Sequence, residues 1–104
     1  MLTVFETAAF IRTTHDFWSE DERMAFISWI AANPQAGDVI VSSGGLRKVR
    51  WSRSGMGKRG GVRVITFAVM QSGELWLLIA YTKNQFDTLP ASLLDKLKKE
   101  IEHD

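Results

Sequence analysis

The 104-residue sequence has no cysteine, two prolines, two histidines and one tyrosine, and no acidic residue anywhere from position 39 to 73. Each absence removes a class of answer. Without cysteine there is neither a disulfide framework nor a thiolate metal site, and the composition suits a reducing compartment. His15 and His103 are far apart in sequence, with no ligand-like cluster around either, so neither a zinc site nor a His-based nucleophile is expected. No residue is assigned to a metal and no cofactor is implied. The longest apolar stretch, residues 75–81, is far shorter than the roughly 20 residues that cross a bilayer. The opening MLTVFETAAFIRTTHDF lacks the apolar run of a secretory leader. The expectation is a single domain over residues 1–104, soluble and cytoplasmic, with no membrane partner.

What the chain does have is a concentrated positive charge. Seven of its thirteen Lys and Arg lie within positions 47–63, and six of its eight Gly lie in or beside that stretch, GGLRKVRWSRSGMGKRGGVR. Residues 39–73 carry +7, while the other 69, with six bases against twelve acids, carry −6. The net charge of +1 hides this separation. A basic block in an acidic remainder points to an anionic partner, above all a phosphate backbone.

Periodicity supplies the elements. Residues 2–5 are β-prone, and 6–15 form a short helix with Phe10 and Ile11 turned inward. Ser19 and Glu22 make a capping box for a helix carrying Phe26, Ile27 and Ile30, which stops at Asn33-Pro34. In 46–53 the residues alternate, with Val49 and Trp51 on one side and Lys48 and Arg50 on the other. Residues 63–70 and 74–81 are apolar central strands joined by a turn at Gln71-Ser72-Gly73. A last helix starts near Pro90, with Leu94, Leu97 and Ile101 buried and Lys96, Lys98, Lys99 and Glu100 facing water. The predicted class is α+β, order β-α-α-β-β-β-α, with the later strands antiparallel. The four tryptophans are read mostly as core.

The stretch Gly55-Met56-Gly57-Lys58-Arg59-Gly60 has the GxGxxG spacing of dinucleotide folds. That motif must follow a strand and open a helix, with an acidic residue about 20 positions on. Here a β-branched strand follows and no such acid exists, so the segment reads as a glycine-rich loop offering Lys58 and Arg59 to phosphate. The larger constellation is Arg47, Lys48, Arg50, Lys58, Arg59 and Arg63, with Tyr81 and Lys83 at the end of the last strand. Alternate strand ends of an antiparallel sheet meet at one edge, which brings Lys83 towards Lys48 or Arg63. Crowded cations disfavour protonation of a lysine, and a neutral lysine is a base that needs neither metal nor histidine. A face that only binds is the alternative.

The segments GGLRKVRWSRSGMGKRGGVRVI and LLIAYTKNQFDTL, the terminal helix, and AANPQAGDVI at 31–40 resemble the RelE superfamily, in particular the HigB-type toxins of type II toxin–antitoxin systems. The similarity spans essentially the whole chain. It implies a small antiparallel sheet with helices packed on one face. It also implies a ribosome-dependent endoribonuclease of messenger RNA, acting by 2′-OH attack, whose partners are mRNA, the ribosome and a neutralising antitoxin, expected to be a helix-turn-helix protein. Cleavage is expected to be metal-independent because no carboxylate lies at 39–73 to hold a divalent ion. By motif, Lys48 and Arg50 become base or phosphate-clamp candidates, Arg63 a holder of the phosphorane, and Lys83 an acid or clamp. Arg47, Lys58, Arg59 and Tyr81, from the basic constellation rather than the motif, are the expected RNA contacts. RelE has an arginine one place beyond that lysine, where this chain has Asn84, and a catalytic tyrosine in the terminal region, where only Phe86 lies nearby. Tyr81 is the substitute candidate. Two other readings of the same residues are a non-catalytic RNA- or DNA-binding module and an interaction protein that binds an acidic partner segment.

Overall fold

The computed structural model describes residues 2–51 and 61–102. The order is β1 (Thr3–Glu6), α1 (Ala8–Thr14), α2 (Glu20–Ala32), β2 (Asp38–Val39), β3 (Arg47–Trp51), β4 (Val62–Val69), β5 (Glu74–Thr82) and α3 (Ala91–Glu102). The α+β class holds. The short β2 was not predicted, and the sheet is mixed, with strands in the order β1-β5-β4-β3-β2. From β2 to β5 the pairing is antiparallel, but β1 runs parallel to β5 with Thr3 opposite Glu74. That pair joins the first strand in the sequence to the last, and nothing local to either strand sets its direction.

The capping box forms as expected. The Glu22 amide donates to Ser19 Oγ at 3.2 Å, and the Ser19 amide donates to Glu22 Oε1 at 2.9 Å. At the other end of α2, the Asn33 amide donates to Ile30 O at 3.1 Å and Asn33 Nδ2 to Trp29 O at 2.9 Å, before Pro34 stops the helix. Two threonines stitch α1 to β5. Thr7 caps the helix by accepting from the Phe10 amide and donates to Leu78 O at 2.9 Å. Thr13 Oγ1 accepts from the Ala80 amide at 3.0 Å. Those contacts set the roll of α1, which buries Phe10 and Thr14 and leaves Ile11 exposed, against the expectation for Ile11.

The helices cover both faces of the sheet, whereas the family resemblance implied one. Phe10, Trp18, Phe26 and Ile30 of the N-terminal region pack on Val49, Val62, Val64, Leu75, Leu77 and Ala80. Leu89 and Leu97 pack on the opposite face, over Leu46, Ile65, Trp76, Leu78 and Tyr81. An irregularity between Ile65 and Thr66 makes this division possible. Ile65 pairs with Ile79 and Thr66 with Leu77, so β5 carries one extra residue there. The slip changes which positions of β5 face α3, from Trp76 and Leu78 before it to Ile79 and Tyr81 after it.

Lys98 does not simply face water. Its ammonium donates to Gly44 O at 2.8 Å and sits 3.6 Å from the centre of the Phe67 ring, pinning α3 to the far half of the sheet. Trp18 and Trp76 are buried and Trp51 partly so, as the pattern suggested, but Trp29 is 36% exposed. Among the described residues no helix is long and apolar enough to cross a membrane.

Candidate functional site

Strand register brings the sequence-selected cations together. Arg50 lies directly opposite Arg63, and Arg63 directly opposite Tyr81, so one row crosses three strands. In such a row neighbouring Cβ atoms lie roughly 5 Å apart and side chains share a face. Lys48 is two residues along β3 from Arg50 and therefore on the same face. That face is the one α3 covers, but α3 is pinned over Phe67 and Gly44 and leaves this corner open. Lys48 and Arg50 are exposed and Arg63 half-buried.

The corner is hollow. A depression of ≈ 340 Å³ is lined by Lys48, Val49 and Arg50 of β3, Arg63 of β4, Gly37 and Asp38 at the start of β2, and Trp29 of α2. Gly37 shapes it. With φ at +86°, and with a would-be Cβ 2.4 Å from Lys48 O and 2.9 Å from Val49 Cγ2, this position admits glycine without strain and no larger residue. Asp38 pairs with Lys48 in register and places one carboxylate beside three cations. A single carboxylate among cations is a poor donor set for a divalent metal. Among the described residues no group of three or more His, Asp and Glu could hold a metal ion.

The other predicted residues are placed differently. Arg47 alternates onto the α1/α2 side of β3, where its guanidinium donates to Gln35 O at 3.0 Å and Gly37 O at 3.3 Å. It holds the turn that carries Gly37 to its place. Tyr81 is 3% exposed, packed edge-on against Phe86 with ring centres 6.0 Å apart. Burial raises its phenol above the ordinary value and the Arg63 charge works against that, so the group keeps its proton through neutral pH. Lys83 is exposed, two positions past Tyr81. Register sets it towards Arg63 rather than Lys48, whose row meets β5 at Ile79. Lys58, Arg59 and the glycine-rich segment lie outside the described residues, as does His103. His15 is exposed at the C-cap of α1.

Four lining residues were not among the sequence-selected ones, Val49 of the buried face and three others. Gly37 and Asp38 sit at the edge of the acid-free stretch, and Asp38 marks its boundary in the sequence. Trp29 flanks the Phe26–Ile30 stripe of α2 instead of lying on it, a shoulder position that helical periodicity alone counts as core. No protein-family model matches the chain.

Proposed function

We infer that this protein is a ribosome-dependent endoribonuclease of messenger RNA, a RelE-like toxin of the HigB type held in check by an antitoxin. The observation that carries the reading is the Arg50–Arg63 pair. Like charges directly opposite across two strands destabilise a sheet, and a bound phosphate turns that repulsion into attraction. Lys48 on the same face supplies a third cation, and the sequence resemblance supplies the reaction class.

The chemistry that fits is transesterification at phosphorus. A base accepts the proton of the ribose 2′-OH, O2′ bonds to the adjacent phosphorus, and the P–O5′ bond breaks as O5′ receives a proton. The products are a 2′,3′-cyclic phosphate and a 5′-OH end, with no water or metal consumed. Arg63 and Arg50 are suited to holding the five-coordinate phosphorane, since preorganised cations stabilise charge that develops in the transition state. Lys48 is the base candidate and Lys83 the acid candidate. Tyr81 lies opposite Arg63 across the strand pair, with burial holding its phenol proton more tightly than usual. The antitoxin is expected to be a small helix-turn-helix protein. The burial of the only tyrosine also favours a second reading, a non-catalytic RNA-binding module.

Induced expression separates the two. The expected result is growth arrest with cleaved transcripts, relieved by Arg63→Ala or Lys83→Ala in protein that retains its melting transition. Cleavage by programmed ribosomes should persist when EDTA is added and an organic polycation keeps the subunits together, with cyclic phosphate at the new ends. RNA binding without any cleavage would establish the second reading instead.

A further inference from the structure

The depression that gathers the cations has one wall that phosphate chemistry leaves unused. Trp29 lines it from α2, and the ring is more than one-third exposed although it is firmly backed. Its centre lies 5.1 Å from that of Trp51 and 6.4 Å from that of Phe26, and Phe26 meets Trp51 edge-on at 5.4 Å. Two aromatic rings, Trp51 and Phe26, thus fix the orientation of the Trp29 ring, which stays part-exposed. A rigid, half-open indole beside Lys48, Arg50 and Arg63 matches the two things a single-stranded nucleotide offers, a flat base and a charged phosphate.

We propose that Trp29 is a stacking platform for one nucleobase of the RNA, next to the phosphate held by Lys48, Arg50 and Arg63. The proposal rests on the ribonuclease reading and adds to it a base contact on the helical side of the β3 edge. Stacking needs only a π face, so the contact tolerates all four bases and favours purines, which present more area. It makes Trp29 a positioning residue. The ring fixes where the nucleotide lies while the cations act on its backbone. Trp51, with the same side chain, cannot serve, because Phe26 and Trp29 pack against it.

The test is cleavage of a short message on programmed ribosomes at sub-saturating protein, using messages that carry one abasic ribose at successive positions around the cut. Trp29→Met keeps apolar packing without a π face, and Trp29→Phe keeps a smaller face. Stacking is worth about 1–3 kcal/mol per base, so the Met variant should cleave about 5- to 150-fold more slowly, with the Phe variant much closer to wild type. At one message position the abasic ribose should slow the wild type by a similar factor and slow the Met variant little further. Equal rates for wild type and Trp29→Met would overturn the proposal and leave the ring as a surface for a protein partner. So would an abasic scan with no sensitive position, or losses that multiply at every position. The wild-type scan needs no variant, so a scan with no sensitive position overturns the proposal even if both variants unfold. If the wild type leaves the unmodified message intact, the ribonuclease reading itself fails, and the proposal with it.

Discussion

At the scale of single residues, the site is an arrangement that works against the stability of the fold. Arg50 faces Arg63 across β3 and β4, where an apolar or oppositely charged pair would strengthen the sheet. Replacing Arg50 with Gln should therefore stabilise the free protein by about 0.2–1 kcal/mol. For a chain of this size that corresponds to a rise in Tm of up to about 8 °C. The gain should shrink as salt is added, because screening already relieves the wild-type repulsion. A lower Tm for Arg50→Gln at low salt would show that the pair is compensated by contacts of its own. Tyr81 gives a pH signature. Its folded pKa is raised by burial, so the folded state keeps a proton that the unfolded chain has lost. The resulting stabilisation is complete below the unfolded value near 10.0 and is lost as the pH climbs from there through the folded value. Tyr81→Phe removes that titration, and denaturant midpoints between about pH 8 and 11 should fall less steeply for it than for the wild type. Parallel curves would mean that the phenol is solvated.

At the scale of elements, α3 decides how much of the sheet face is left open. Its anchor is Lys98, through Gly44 O and the Phe67 ring, and Lys98→Ala should cost about 1–2 kcal/mol. The loss should appear as faster amide exchange in α3 and at Gly44, with β4 and β5 unchanged, and uniform loss of protection would contradict the assignment. This anchor was invisible in the sequence, where Lys98 reads as one of several solvated cations. The reason is range. The Ser19–Glu22 box, the stop at Asn33-Pro34 and the alternation of 47–51 depend on residues within a few positions, and all three were legible. The parallel seat of β1, the extra residue in β5 and the exposure of Ile11 and Trp29 are set by partners far along the chain, while the two-residue β2 is too short to carry an alternation of its own. The candidate site divides the same way. Alternation placed Lys48 with Arg50, and their facing Arg63 needed only the expected antiparallel pairing. The contribution of Asp38 and Trp29 required knowing how the 33–37 turn folds back against β3.

At the scale of the whole molecule, charge and shape agree. The first turn of α2 carries Glu20, Asp21 and Glu22, on the side of the sheet away from the corner where Lys48, Arg50 and Arg63 emerge. A molecule polarised in this way approaches a polyanion with one side leading. Association with RNA should then weaken steeply with salt, by about 0.7 in log–log slope for each phosphate neutralised on a single strand. The structure makes that slope informative residue by residue. Arg50→Gln and Arg63→Gln should each lower it by roughly that amount. Arg47 differs from its neighbours although the sequence groups it with them. It alternates to the opposite side of β3, and its guanidinium holds the carbonyls of Gln35 and Gly37. Arg47→Gln should thus reduce affinity at every salt concentration by loosening the turn at Gly37, yet leave the slope close to that of the wild type. Lys98→Ala, which removes a cation already engaged with Gly44 O and the Phe67 ring, serves as the control and should likewise leave the slope in place. Equal loss of slope for Arg47→Gln and Arg50→Gln would show that both faces of β3 meet the RNA, and the open corner would no longer mark the limit of the binding surface.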